Sequence, residues 1–454
     1  MNNYNKFLSL REKYPTIIYE KYDVLESEED ILITYYFNIP TLTNFKPTLR
    51  ISKKNITNTN INIKYRDYLI FHIGLIELIS YFKCTCSPNL VIEAGFINED
   101  QIKWFKKLFY YGLGEFLYIN GIDICKDELL TITCTKKREE LPKINYQGIG
   151  SLIPVGGGKD SVVSLELLKQ EHDINTCFII NSKKVTLDCA HIAGYDDKDI
   201  FAVKRTIDPN LIDLNKQGYL NGHTPFSSLA AFVSYLCAYL SNKKYIVLSN
   251  EASANEATIV GTKINHQYSK TYEFENDFNE YTKKYFNIDI KYFSLLRPLT
   301  EFQIAMLFSH YEKYHTTFKS CNVGSKKENW EWCCNCPKCL FVYIILSPYL
   351  YKEKLINIFG EDLFEKEQLL ETFIELLGYS KTKPFECVGT YSEVRYVVSL
   401  VIQKLNDNLP YLLQYYKDNY KLELDHKFEN DYNDINNLDE HFKEILKKEL
   451  DKYV

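Results

Sequence analysis

The run Leu152-Ile-Pro-Val-Gly-Gly-Gly-Lys-Asp-Ser161 passes from a short apolar segment through three glycines into a helix-like stretch, Ser161 to Gln170. A buried strand that empties through glycine into a helix start makes an anion cradle, because backbone N–H groups converge there. Glycine lets the backbone approach a phosphate closely. Lys159 can neutralise it, and Asp160 is placed to hold Mg²⁺, which favours a carboxylate together with phosphate oxygens. Two other glycine loops are excluded by spacing. A Walker loop ending at Gly158-Lys159 needs glycine at position 153 and Ser or Thr at position 160, where the chain has Ile153 and Asp160. A dinucleotide fingerprint starting at Gly156 needs a third glycine where Ser161 stands. The plain alternative is an ordinary glycine turn.

Outward from this loop, Ile174 to Ile180, Tyr245 to Leu248 and Phe293 to Leu296 read as further buried strands, the last closed by Arg297 and Pro298. Thr300-x-x-Gln303 has the form of a capping box that opens a helix. Strands alternating with helices predict an α/β fold with a doubly wound parallel sheet over residues 146–318. Residues 1–145 read as an N-terminal α+β domain. Ile31 to Phe37 is its strand, and helical spacing recurs over Arg66 to Lys83 and Asn98 to Ile119. Residues 319–454 carry a cysteine cluster and a helical C-terminal region, with an Asn/Asp-rich stretch from Glu429 to Asn437 and an amphipathic last helix, Leu438 to Tyr453. A length of 454 residues suits about three such units.

Composition narrows the function classes. Apolar residues make up 45% and charged residues 25%, the balance of a globular protein. The formal net charge is −6, so nucleic acid is not the expected partner. Met1 to Thr16 has no unbroken apolar core and does not read as a signal peptide. Gln217 to Asn242 contains no Asp, Glu, Lys or Arg, but Pro225 and four serines interrupt it, which suggests a buried helix and no membrane span. Thirteen cysteines in an unexported chain imply thiols or a metal site, and a cytoplasmic protein. Cys321, Cys333, Cys336 and Cys339 give C-x11-C-x2-C-x2-C, which suits a closed structural zinc site with Cys334 to spare.

In an open parallel sheet, ligands bind beyond the carboxyl ends of the strands. There the strand Tyr245 to Leu248 runs into Ser249-Asn-Glu-Ala-Ser-Ala-Asn-Glu256 and then Gly261-Thr-Lys-Ile-Asn-His-Gln267, dense in hydrogen-bonding side chains. An Asn-rich surface loop is the bland alternative. His223, in Tyr219-Leu-Asn-Gly-His-Thr-Pro225, is either a ligand contact or a capping residue. Lys136, Lys137 and Arg138 read as a solvated basic run.

Gly156 to Ser161 resembles the pyrophosphate loop of the ATP pyrophosphatases, S-G-G-x-D-S, with Gly156 in place of the usual serine. Taken together, L-I-P-V-G-G-G-K-D-S (152–161), G-Y-L-N-G-H-T-P-F-S (218–227), S-N-E-A-S-A-N-E (249–256), G-T-K-I-N-H-Q-Y-S-K (261–270) and W-C-C-N-C-P-K-C (332–339) resemble the UDP-N-acetylmuramoyl-L-alanyl-L-glutamate epimerase family of peptidoglycan synthesis. E-A-G-F (93–96) and G-L-G-E-F (112–116) are similar to it as well. The resemblance implies a sheet of the ATP-pyrophosphatase, or adenine nucleotide alpha hydrolase-like, type. It implies MgATP held at Gly156, Gly157, Gly158, Lys159, Asp160 and Ser161, with Ser249, Asn250 and Glu251 lining the same site. The substrate's terminal carboxylate would be adenylated, its α-proton removed and returned on the other face, and AMP and diphosphate released. His223, Lys263 and His266 are the candidates for proton transfer, with Cys189 a further option because cofactor-free racemases of another fold use cysteines. The zinc-type cysteines are similar to those of 7-cyano-7-deazaguanine synthase, so adenylation of a deazapurine or tRNA base is a competing expectation. A non-catalytic ATP-binding regulatory module is another.

Overall fold

The computed structural model describes residues 3–259, 264–326, 330–380 and 382–453. Its strands are β1 (Thr16–Glu26), β2 (Asp30–Ile39), β3 (Thr43–Phe45), β4 (Thr48–Ser52), β5 (Asn89–Ile92), β6 (Thr131–Cys134), β7 (Ser151–Pro154), β8 (Thr176–Ile180), β9 (Ile200–Thr206), β10 (Tyr245–Leu248) and β11 (Lys291–Ser294). They form one sheet in the order β11-β10-β7-β8-β9-β4-β2-β1-β5-β6, with β3 beside β2. From β11 to β9 every pairing is parallel, as are β1–β5 and β5–β6. The chain is thus α/β with a mostly parallel sheet and helices on both faces.

The parallel strands show why both faces are covered. Neighbouring residues feed opposite cores: Leu152, Phe178, Phe201, Ile246 and Tyr292 go to one cluster. Ile153, Cys177, Ile200, Val247 and Phe293 go to the other. Strands apolar at successive positions have no face to offer water, so helices must pack on each side. The uncharged window becomes the helix Phe226–Leu240, buried along most of its length on one face. Lys159–Leu167, Lys184–Ala193 and Glu301–Ser309 cover the other. Among the described residues no helix is long and apolar enough to cross a membrane.

The capping box expected at Thr300 and Gln303 is present, and Asn98 with Gln101 forms another. The helix expected from Asn98 to Ile119 divides at Leu113 into Glu99–Gly112 and Gly114–Ile119, a break that matters because the second piece carries Glu115.

Residue 145 falls between β6 and β7, and the sheet runs across it. β4 pairs antiparallel with β9, from Thr48–Thr206 to Ile51–Val203, so the first and second parts of the chain share backbone hydrogen bonds. An unpaired β9 edge would expose a row of donors and acceptors, and β4 supplies the partner. A side-chain clamp reinforces the join. Arg205 donates from Nε to Glu77 Oε2 at 2.7 Å, and from Nη2 to Glu77 Oε1 at 2.9 Å and to Ser80 Oγ at 3.0 Å. Glu77→Gln strands the buried guanidinium. It should therefore lower stability by about 3–5 kcal/mol, read as a clear fall in the thermal unfolding midpoint; an unchanged midpoint would mean the join does not depend on this pair.

Candidate active site

β7 leads through Val155 into Gly156, Gly157 and Gly158, and Gly158 is the N-cap of the helix Lys159–Leu167. Gly157 has a φ of +80°, and a Cβ there would lie 2.9 Å from Val185 Cγ1. A Cβ at Gly158 would come within 2.7 Å of Ser320 Oγ. Both positions therefore require glycine, one for its backbone and one for its neighbour. Around Gly156 there is open space, where the serine of the pyrophosphatase loop would project. Gly158 offers no side chain to cap the helix, so the first-turn N–H groups face the loop as anion donors. Ser161 turns its hydroxyl back to the Gly158 carbonyl at 2.9 Å.

The loop lysine is buried. Lys159 is 1% exposed and makes ion pairs with both Asp160 and Glu301. Burial opposes its charge, but Asp160 and Glu301 overcome that and raise it. Glu301 is itself pushed well above the ordinary carboxylate range, by burial and by the nearby charges of Asp160 and Glu251. Two carboxylates thus share one ammonium, with a third close by, an arrangement that a divalent cation and a phosphate would relieve.

Beyond β10 the described part of the expected loop brings Glu251 close to Glu301 and Lys270. Ser249 Oγ is buried with no hydrogen-bond partner among the described residues. Asn250 Nδ2 donates to Ser294 Oγ at 3.1 Å, and Glu251 is buried. A fully buried arginine holds these segments in place. Arg297 donates to the Glu251 carbonyl at 2.8 Å and to the Lys270 carbonyl at 2.6 Å, and pairs with Glu275 at 3.2 Å.

His223 and His266 meet across Glu115. Their ring centroids are 4.5 Å apart. His266 Nδ1 bonds Glu115 Oε2 tightly, and His223 Nδ1 lies 3.4 Å from the same oxygen. The two rings titrate apart. Burial and the charge of His266 lower His223 to about 4, so it is neutral at pH 7. Burial also works against a charged His266, but Cys387 and Glu115 beside it raise it to about 9, so it is protonated. The pair therefore holds one proton near neutrality.

Cys387 completes this group. Lys270 Nζ donates to its sulfur at 3.0 Å, and Lys338 Nζ holds its carbonyl. Burial alone would push the thiol up; Lys270, His266 and Lys338 instead bring it down to about 6. Cys189, by contrast, is fully buried beneath Gly157, and burial pushes its thiol up to about 12, which removes it from proton transfer. Lys263 lies outside the described residues.

The four expected cysteines converge. Sulfur separations are 3.9 Å for Cys321–Cys336, 3.8 Å for Cys333–Cys339 and 3.5 Å for Cys336–Cys339. A tetrahedral zinc with bonds of about 2.3 Å would place its sulfurs about 3.8 Å apart, so the donors fit. The Gly324 N–H donates to Cys321 Sγ at 3.1 Å, and a Cβ on Gly324 would collide with the Glu331 carbonyl at 1.7 Å. Cys334 turns away and donates to the Phe359 carbonyl at 3.1 Å.

The structure thus brings His223 and His266 together and sets the loop and Glu251 within one charged cluster. It adds Glu115, Lys270, Glu301, Lys338 and Cys387, which sequence reasoning missed. Glu115, Lys270 and Lys338 sit inside stretches already singled out, G-L-G-E-F, the segment ending at Lys270, and the cysteine cluster. Glu301 follows a capping residue and reads as helix chemistry, and Cys387 had no local signal.

Comparison with known proteins gives two family matches, the MurL N-terminal domain over residues 9–295 and the MurL C-terminal domain over residues 317–429. The chain is 33% identical over 338 residues to the UDP-N-acetyl-alpha-D-muramoyl-L-alanyl-L-glutamate epimerase of Xanthomonas oryzae pv. oryzae (strain MAFF 311018), covering 73% of this chain and 74% of the relative. Proteins of the same name from Micromonospora sp. (strain ATCC 39149 / NRRL 15099 / SCC 1413) and Salinispora tropica (strain ATCC BAA-916 / DSM 44818 / JCM 13857 / NBRC 105044 / CNB-440) match at 34% and 33% identity. Each of these two covers 72% of this chain, and the matches take in 73% and 72% of the relatives respectively.

A thiol held at about 6 is mostly thiolate at pH 7, since lowering the pKa extends the anion downward in pH. Alkylation of Cys387 by iodoacetamide, followed by peptide mass spectrometry, should rise with a midpoint near pH 6 and shift upward in Lys270→Met. A midpoint at or above about 8.5, the value of a free cysteine, would show that the cations do not hold the thiolate.

Proposed function

The chain belongs to the MurL family, and on that premise we propose that it inverts the terminal glutamyl residue of UDP-N-acetylmuramoyl-L-alanyl-L-glutamate from L to D, in peptidoglycan synthesis, through an acyl adenylate formed from ATP. The α-proton of a glutamyl residue beside a free carboxylate resists removal, because the carbanion would face a negative charge. ATP supplies an adenylyl group that masks that charge and lets the carbonyl delocalise the anion. The observation that carries this reading is the closeness of Lys270 to both groups of residues. Lys270 touches the Cys387 sulfur at 3.0 Å and is close enough to Asp160 and Glu251 to be raised by their charges. That closeness supports a reading in which phosphate chemistry and proton chemistry share one site.

Within it the roles divide by residue. Gly156 to Ser161 act as a loop of the ATP-pyrophosphatase type, on a sheet of the adenine nucleotide alpha hydrolase-like type, with backbone N–H groups and Lys159 on the phosphates. Asp160 would hold Mg²⁺, aided by Glu301. Ser249, Asn250 and Glu251 orient the nucleotide or the activated carboxylate. The His223–His266 pair, sharing a proton over Glu115, returns a proton to the α-carbon. ATP and a nucleotide-linked precursor place the reaction in the cytoplasm.

With purified protein, MgATP and the L-glutamyl substrate, diphosphate and D-glutamate should appear together. In His223→Ala diphosphate release should continue while D-glutamate falls by about 100-fold or more. Asp160→Asn should lose both. Diphosphate without any change of chirality in the unmodified protein would move the reading to a plain adenylating enzyme.

The cysteine cluster would hold structural zinc, which would tie down the segment from Cys321 to Cys339. Elemental analysis should find one zinc per chain, lost in Cys336→Ser together with a fall in the unfolding midpoint. A zinc-free native protein with an unchanged midpoint would argue for simple thiols.

A further inference from the structure

Epimerisation needs a group that removes the α-proton as well as one that returns it. At neutral pH His266 is already protonated, which leaves the removal to another side chain of the chamber. Cys387 stands in a row that runs carboxylate, imidazole, thiol. Glu115 holds His266 Nδ1, and the ring lies close enough to Cys387 for its charge to lower the thiol. This is the order in which an acid orients an imidazole and the imidazole poises a sulfur. Lys270 caps the sulfur from another direction at 3.0 Å. Unlike Cys84, Cys86, Cys177, Cys189 and Cys237, which are buried, Cys387 is only half-buried. Four elements distant in sequence meet here: the short helix Gly114–Ile119, the turn that ends at Lys270, the helix Pro337–Leu346 that carries Lys338, and the segment before the helix Tyr391–Leu405.

We propose that Cys387 is the catalytic base that removes the α-proton of the activated glutamyl residue, oriented by His266 and Glu115 and held as the anion beside Lys270. This assignment rests on the epimerase reading. In the step, the Cα–H bond breaks, an S–H bond forms, and the electron pair moves into the acyl-adenylate carbonyl. The imidazole pair then gives a proton to the carbon, which restores a Cα–H bond of the opposite hand. The proton on sulfur passes to His266 beside it. Cys387 is again the thiolate and the imidazole pair again holds one proton, so the cycle closes with no oxidant, reductant or further reactant.

The test runs full-length protein, MgATP and the L-glutamyl substrate in D₂O, following diphosphate release, α-deuterium uptake and glutamate chirality. Cys387→Ala and Cys387→Ser should keep releasing diphosphate while deuterium uptake and D-glutamate fall by about 100-fold or more. Reversible blocking of the native thiol with a methanethiosulfonate, undone by reductant, gives the same readout if either variant fails to fold. Uptake in the variants within about threefold of the unmodified protein would remove Cys387 as the base. Folded variants that lose diphosphate release as well would place it with the nucleotide and overturn the assignment. An acyl group found on Cys387 after rapid quenching would also overturn it, in favour of a nucleophile. Failure of the epimerase reading looks different: the unmodified protein would itself release no diphosphate or form no D-glutamate.

Discussion

A buried ammonium tolerates no vacancy around it, and Lys159 is such a group. Removing its charge from water costs several kcal/mol unless opposite charge and hydrogen bonds meet it inside. Asp160 is the next residue in the chain, but Glu301 is not, and its arrival depends on the helix Glu301–Ser309 packing against the helix Lys159–Leu167. That helix is in turn fixed at its start. The Glu301 N–H donates to Glu393 at 2.7 Å, and Glu393 forms the capping box of Tyr391–Leu405 with Thr390. Cys387 lies three residues before Thr390. The charge requirement of the phosphate loop is thus carried, through one helix start after another, to the position of the thiol.

The same economy of charge separates the two histidines. Both face one carboxylate in a partly buried site, and a second proton would be repelled by the first, so one ring takes it and the other stays neutral. Cys387 settles which. Its nearness to His266 favours the charged form of that ring, and His223, lacking such a neighbour, is driven the other way by burial, by His266 and by Lys83. Two residues of one type acquire different chemistry from their surroundings alone.

The readable part of this chain was its local part. Strand, glycine loop and helix at 152–170 declare themselves because periodicity and glycine are properties of neighbouring residues, and Thr300 with Gln303 capped a helix as their spacing required. The four zinc-type cysteines were legible for the same reason, three of them lying within seven residues. Cys387 was illegible because nothing beside it in the chain carries its meaning; Lys270, Lys338 and His266 reach it only through the fold. Cys189 misled because sequence gives a thiol but not the burial that pushes it up to about 12. The continuous sheet was hidden too, since whether β4 meets β9 is a long-range choice that no local pattern records.

That pairing also explains why the first part of the chain is needed for the chemistry. Glu115 comes from the short helix after Leu113, on the N-terminal side of the join, whereas the loop, both lysines at Cys387 and the thiol itself lie beyond it. A carboxylate is required within bonding distance of both imidazoles, and the described structure supplies it only from there. If the carboxylate is activated as proposed, activation and removal of the α-proton must be coupled, because the proton is acidic only while the activated carbonyl persists. A sheet that binds the two parts of the chain into one body keeps Glu115, His266 and Cys387 at fixed distance from Lys159 and Asp160. On the proposed mechanism, the continuous sheet is what would let a short-lived activated substrate meet its base before water reaches it.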